Sequence, residues 1–194
     1  MQGFARDGLI DLYYLDESGF VPTLPVSYTW ARRGVRPLVP HEASQRRRLN
    51  VLGALAPGRR LVHQSWTTSI DAAAFLAFVA HQVAGLPAPL EALPPDYRCA
   101  RPCVIVLDNY SVHRGKVVQA AIPALEAAGV LFFYLPPYSP ELNAIESLWG
   151  DVKYRDLQDR SHTELPDLQR AVDDALDTHA VRLAYPTVSL CTAA

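Results

Sequence analysis

The 194-residue sequence has few cysteines, little net charge and no long apolar run. Its three cysteines, Cys99, Cys103 and Cys191, are odd in number and no histidine cluster of metal spacing accompanies them, which argues against a disulfide framework and a zinc site. No apolar stretch approaches the roughly 18 residues that a membrane-spanning helix requires. The N-terminal residues lack the pattern of a secretion signal. We therefore expect a cytoplasmic protein with no membrane partner.

The formal net charge of −2 argues at first against a nucleic-acid partner, but the charges are unevenly distributed. Residues 32–60 contain only one acid, Glu42. Their basic residues are all arginines: Arg32, Arg33, Arg36, Arg46, Arg47, Arg48, Arg59 and Arg60. Between residues 141 and 177 acids predominate. Because a phosphate backbone responds to a local positive patch, the basic segment is a candidate DNA-binding surface. A solvated hairpin surface is the alternative explanation.

Apolar periodicity predicts strands early in the chain and again after residue 100. The strands are predicted over residues 9–18, 26–32, 48–55, 60–66, 103–107 and 130–135, the last two buried on both faces. Helices are predicted over residues 70–85 (capped by Ser69), 116–128 (with a kink at Pro123), 139–155 and 163–180. The proline-rich segment 85–102 is predicted to be a loop.

This order places antiparallel strands first and then strands separated by helices. A sheet that is antiparallel on one side and parallel on the other, with helices on both faces, accommodates it. The sequence therefore predicts an α/β domain of ribonuclease-H-like fold with a mixed five-stranded sheet. We expect residues 1–180 to form one domain and residues 181–194 a tail, because the length suits a single core.

Three acids follow or lie beside apolar runs, where an unpaired carboxylate is costly to bury. Asp16 ends the first strand, Asp108 follows the strand 103–107, and Glu146 lies in the next helix but one. Ligands of open sheets gather beyond the carboxyl ends of the strands, so the three can converge there. Converging carboxylates favour hard divalent cations, and a pair of Mg²⁺ ions supports in-line attack at phosphorus.

Each acid also has an ordinary structural interpretation. Asp16 and Asp108 are common turn residues, and Asp108 with Asn109 can open an Asx turn. Glu146 alone is an unremarkable helix-surface residue, and Trp149 beside it reads as core. Glu17 points to the opposite side of the strand from Asp16, which favours a structural or secondary role.

In chain order, the segments LDES, VIVLDNYSVHRG and YLPPYSPELNAIESLWGDVK resemble the signature blocks of DDE transposases of the insertion-sequence 630 and Tc1/mariner group. The resemblance implies a catalytic domain that uses Mg²⁺ or Mn²⁺ for DNA strand cleavage and strand transfer at transposon ends. It places Asp16, Asp108 and Glu146 on the metal-binding acids, and Asn109, His113 and Asn143 on supporting positions. In SYTWARRGVRP it also places Trp30 and the neighbouring arginines against DNA.

One departure from the group concerns DNA-end recognition. Its members carry an N-terminal helix-turn-helix region, for which the residues before Asp16 leave no room. We expect this region to be encoded separately or to be missing, and the resemblance implies a homodimer on double-stranded DNA. Two further interpretations stay open: an inactive remnant that binds DNA or dimerises, and a nuclease of the same fold without strand transfer.

Overall fold

The structure, a computed structural model, describes residues 1–23, 32–35, 47–110, 112–157 and 161–184. Several predicted features lie outside these ranges. They are most of the strand predicted over residues 26–32, the side chains Trp30, Arg36 and Arg46, and residues 185–194 of the tail.

Five strands within the described residues form one mixed sheet. They are β1 (Asp11–Phe20), β2 (Leu49–Ala56), β3 (Arg60–Trp66), β4 (Cys103–Leu107) and β5 (Val130–Tyr134). The order across the sheet is β3-β2-β1-β4-β5. The pairs β1–β2 and β2–β3 are antiparallel, whereas β1–β4 and β4–β5 are parallel. The predicted mixed five-stranded sheet is confirmed.

Helices lie on both faces of this sheet. They are α1 (Gln2–Arg6), α2 (Ala72–Ala77) with a π-helical continuation (Phe78–Val83), α3 (Lys116–Ala127), α4 (Ile145–Asp151) with a π-helical continuation (Val152–Asp156), and α5 (Leu165–Ala184). Short 3-10 turns, Leu90–Ala92 and Pro140–Leu142, lie in the connections. No helix of the described part of the chain is long and apolar enough to cross a membrane.

Strand β1 contributes to two separate cores because its side chains alternate between the faces. Leu12 and Tyr14 join the core under α4 and α5, whereas Tyr13 and Leu15 join the core under α2 and α3. All four side chains are buried. Asp16 lies inside this strand and not at its end as predicted, because β1 continues to Phe20 in its pairing with β2, and the central position of β1 places Asp16 between two helix layers.

The prediction that the strand 130–135 is buried on both faces is wrong. The strand is β5, at the edge of the sheet, and Leu131 and Phe133 are exposed because no helix of the described chain covers them. Its apolar composition is the same as that of a central strand, and composition alone does not reveal an edge.

Several predicted helix boundaries also change. Helix α2 begins at Ala72, and its N-cap is Asp71 instead of the predicted Ser69. The Asp71 side chain accepts a hydrogen bond from the Ala74 N–H. Pro123 lies inside α3 without dividing it. The helix predicted over residues 139–155 is interrupted, because Asn143 has extended backbone angles between the Pro140–Leu142 turn and α4. The last helix runs to Ala184, past the predicted end of the domain at residue 180.

Candidate active site

The parallel pairing of β1 and β4 brings the first two acids to the same edge of the sheet. Tyr14 pairs with Val106, so two residues further along Asp16 comes level with Asp108. Glu146 lies in the first turn of α4, which crosses the same edge. All three carboxylates line one cavity of about 420 Å³, together with the loop from Leu135 to Pro140.

Asp16 is the most deeply placed of the three acids. Burial raises its pKa to about 7, and the neighbouring negative charges of Glu146 and then Asp108 act in the same direction. The indole Nε1–H of Trp149 donates to Asp16 Oδ2 at 3.0 Å and partly opposes this shift. Such a carboxylate favours any cation that relieves the repulsion.

The pKa of Asp108 is shifted in the opposite direction from that of Asp16. His113 Nδ1 lies 3.1 Å from its Oδ1, and this hydrogen bond is the main reason that the pKa of Asp108 is lowered. The Tyr110 backbone N–H donates to the same Oδ1 at 2.9 Å, which is the Asx turn considered from the sequence. The turn and the site therefore use one carboxylate, and Asp108 remains ionised in the cavity.

His113 connects the site to the other face of the sheet. Its side chain is 1% exposed, its ring packs against Phe75 at 4.7 Å, and its Nε2 is 3.6 Å from Glu17 Oε1. Burial favours the neutral ring, but Asp108 and Glu17 outweigh burial and raise the pKa of His113 to about 9. The imidazolium thus lies between two carboxylates. Glu17 is a second partner that the strand period had already placed away from Asp16.

The two predicted asparagines fix the backbone around the cavity. The Asn143 Nδ2–H donates to the Leu15 carbonyl at 3.2 Å in a buried contact, and the Asn143 carbonyl accepts from the Glu146 N–H at 3.1 Å. The Asn109 Nδ2–H donates to the Leu135 carbonyl and ties the end of β4 to the end of β5. Both asparagines also line the cavity, and through these contacts they fix the elements that carry the acids.

Two site residues were missed by the sequence interpretation. Trp149 was assigned to the core, but its position three residues after Glu146 puts both on one side of α4, which is the available signal. Lys153 is the second missed residue, because from the sequence it is only one basic residue within the acidic segment 141–177. Burial lowers the pKa of Lys153 while Glu146 and Asp16 raise it, which places this cation beside both acids.

The candidate DNA-binding residues are only partly described. Arg32, Arg33 and Arg48 are exposed, as residues that contact the phosphate backbone of DNA must be. Arg47 instead donates to the Thr163 carbonyl at 2.7 Å, just before α5. The Arg48 guanidinium lies against Gly19, where a Cβ would collide with it. Trp30, Arg36 and Arg46 lie outside the described residues.

The cavity presents the carboxylate oxygens of three acids, which are the ligands that a hard divalent cation prefers. Within the described ranges, no three His, Cys, Asp or Glu side chains lie close enough together to enclose a metal ion. Mg²⁺ does not require such a cage, because it is held by one or two carboxylates and completes its shell with waters and substrate phosphates. The raised pKa of Asp16 and the shared cavity fit that mode of binding.

Comparisons with known proteins agree with this geometry. The family model "DDE superfamily endonuclease" matches residues 11–169. No curated protein matches the chain significantly. Among solved structures, the chain is similar to the Mos1 strand transfer complex, with 12% identity, a TM-score of 0.60 and coverage of 93% of this chain and 50% of that one. It is also similar to the Mos1 paired-end complex with the left transposon end, with 13% identity, a TM-score of 0.59 and coverage of 94% and 55%.

The catalytic domain of the Mos1 mariner transposase is a third similar structure, with 12% identity, a TM-score of 0.56 and coverage of 94% of this chain and 82% of that domain. At this identity the likeness concerns the fold, and it confirms the predicted ribonuclease-H-like arrangement. The chain spans about half the length of the transposase chains in the DNA complexes.

Proposed function

Because the chain belongs to the family of DDE superfamily endonucleases, we propose that it is the catalytic domain of a transposase that cleaves and joins DNA strands at transposon ends. One observation carries the proposal: Asp16, Asp108 and Glu146, which are far apart in sequence, line a single cavity at the carboxyl edge of the parallel strands. Residues 1–180 would supply this activity as one domain.

In this proposal the three acids hold two Mg²⁺ or Mn²⁺ ions. When bound, such ions activate an attacking oxygen and stabilise the leaving oxygen at phosphorus. Structures of the Mos1 paired-end complex with Mn and with Mg are among the structural relatives. The opposite pKa shifts of Asp16 and Asp108 indicate different tasks, because Asp108 stays ionised whereas Asp16 gains most from a cation.

The remaining residues position the acids and the DNA. His113 holds Asp108 through Nδ1, Asn143 fixes the start of α4 that carries Glu146, and Asn109 ties the β4 and β5 ends. The proposed DNA-binding residues are a tryptophan and the arginines that follow it: Trp30, Arg32, Arg33, Arg36, Arg46, Arg47 and Arg48. Of these, the exposed Arg32, Arg33 and Arg48 would contact phosphates.

The DNA partners proposed are double-stranded transposon ends and target DNA. We propose that two copies of the chain act together on paired ends, with a separately encoded helix-turn-helix subunit to read the end sequence. A structural relative solved in a paired-end complex with the left transposon end supports DNA ends as the partner.

The metal site is tested by calorimetric titration of Mn²⁺ into the wild-type protein and an Asp108→Ala variant. We expect binding by the wild-type protein and a loss of at least tenfold in affinity in the variant, because one of its carboxylate ligands is gone. Glu141→Gln is the matched control, since Glu141 is exposed on the adjacent turn and lies outside the cavity lining. Equal affinities in all three proteins would refute the site.

Strand transfer needs a separate experiment with an inverted-repeat duplex, Mg²⁺ and any helix-turn-helix subunit. Nicked and joined products that require Asp108 support the transposase. Nicking without joining would identify a nuclease of the same fold. DNA binding without either product, in a protein that still binds Mn²⁺, would identify a remnant that binds DNA.

A further inference from the structure

A buried tryptophan contacts the most deeply placed acid of the cavity. Trp149 is 3% exposed in the core between α4 and the sheet, yet its Nε1–H points to Asp16 Oδ2 at 3.0 Å. Packing alone does not require this bond, because a phenylalanine ring would also fill an apolar core. The bond engages Oδ2, and the Glu17 backbone N–H also donates to this carboxylate.

The neighbouring strand is shaped to receive this indole. Gly53 is paired with Asp16 across β1 and β2. A Cβ added at Gly53 would lie 2.7 Å from Trp149 Cη2 and 2.9 Å from Ile145 Cδ1, both of which are too short for real contacts. The indole therefore rests on bare strand backbone, and the absence of a side chain at Gly53 is what allows the ring to reach Asp16.

We propose that Trp149 is a positioning residue for Asp16, and that Gly53 is required for it because any side chain there displaces the indole. The proposal rests on the proposed metal-dependent function. Hydrogen bonds from outside the ligand set orient metal-binding carboxylates, and their loss typically weakens metal affinity by about 10–100-fold. With Oδ2 held by the indole, the Asp16 carboxylate keeps a fixed orientation at the cavity wall.

The first test is calorimetric titration of Mn²⁺ into Trp149→Phe, which keeps an aromatic ring and removes the N–H donor. We expect about tenfold weaker Mn²⁺ binding than in the wild-type protein. Trp66→Phe is the matched control, because Trp66 also packs edge-on against a phenylalanine but lies on β3, away from the cavity lining. Its affinity should equal that of the wild type. Unchanged Mn²⁺ affinity in a folded Trp149→Phe protein overturns the proposal.

A second variant tests the same contact between Trp149 and Asp16 without changing the tryptophan itself. Gly53→Ala should displace Trp149 and weaken Mn²⁺ binding in the same direction. Gly150→Ala is its control, since a Cβ at Gly150, directly after Trp149, meets nothing within 4 Å. Equal Mn²⁺ affinities of the two alanine variants would contradict the role of Gly53.

A spectroscopic measurement separates positioning from simple packing. In ¹H–¹⁵N spectra the indole N–H resonance of Trp149 should shift when Mg²⁺ saturates the wild-type protein, because its acceptor gains a ligand, while that of Trp66 stays in place. If the Trp149 indole resonance does not shift in a protein that binds Mg²⁺, the positioning role is overturned. If the wild-type protein binds no divalent cation, the metal-site proposal itself fails, so the two failures are distinguishable.

Discussion

The strongest stability prediction concerns the amide of Asn143. This side chain is 4% exposed and donates from Nδ2 to the Leu15 carbonyl at 3.2 Å. Asn143→Ala removes the bond and leaves the buried carbonyl without this donor, which costs about 2 kcal/mol of the free energy of unfolding. In a domain of this size that loss lowers Tm by about 4–8 °C. Urea and thermal unfolding measure both quantities.

Asn143→Asp makes the prediction sharper, because it keeps the size of the side chain and replaces the amide donor by a carboxylate oxygen that can titrate. An ionised aspartate would place an acceptor against the Leu15 carbonyl in a buried position, which costs about 3–5 kcal/mol. Its folded-state pKa must therefore rise above the unfolded value of about 3.9. Protonation restores an O–H donor, so the variant approaches wild-type stability below about pH 4 and loses stability as the pH rises towards the folded-state pKa.

The assay is urea unfolding of the wild-type, Asn143→Ala and Asn143→Asp proteins at pH 5 and pH 8. Subtracting the alanine variant at each pH removes the titration of every other group. We expect the aspartate variant to lose about 2 kcal/mol more than the alanine variant between the two pH values. Parallel behaviour of the two variants would show that Asn143 does not present its donor to a buried carbonyl, and the reasoning would be refuted.

Four further predictions follow from single contacts. Burial raises the pKa of Cys103 to about 12, so iodoacetamide at pH 8 should leave Cys103 unmodified in the folded protein, as read by peptide mass spectrometry; rapid alkylation would contradict this. Gly129 follows the C-cap of α3 with φ +88, so Gly129→Ala should cost about 1–2 kcal/mol of the free energy of unfolding in urea, and a stabilised variant would be inconsistent. Leu176→Ala, at a fully buried position of α5, should cost about 2–5 kcal/mol, and a loss under 1 kcal/mol would mean that α5 is loosely packed. If Arg48 contacts a phosphate, Arg48→Ala should reduce the slope of log K for duplex DNA against log salt by about 1; an unchanged slope excludes the contact.

The sequence is informative where an element leaves a distinctive local pattern. The continuous apolar run before Asp108 predicts a strand end there, and the structure confirms it because β4 ends at Leu107. The strand end predicted at Asp16 is wrong, because β1 continues to Phe20 in its pairing with β2, although the register with β4 still brings Asp16 level with Asp108. The last signature block predicts Glu146 on a helix. The predictions at Asp108 and Glu146 succeed because apolar runs and helical periodicity are local properties of the chain.

Features that depend on contacts distant in sequence could not be predicted in this way. The exposure of β5 depends on which strands and helices cover it, and the runs 103–107 and 130–134 are equally apolar. The break at Asn143 reflects a hydrogen bond to Leu15, 128 residues earlier. Trp149 looked like core because it is core, and only the three-dimensional structure shows that its N–H reaches a carboxylate.

The apolar part of β1 has consequences for folding fidelity. Its buried segment, Leu12 to Leu15, has the sequence LYYL, so both faces carry one leucine and one tyrosine. A shift of β1 by one residue exchanges its faces but would leave nearly the same apolar surface from these four residues on each, so their burial barely opposes it, whereas the buried Phe20 does oppose it. The adjacent acids oppose the shift too, because Asp16 meets the Trp149 indole on one face and Glu17 meets His113 on the other. The polar contacts of the cavity thereby also select the strand register.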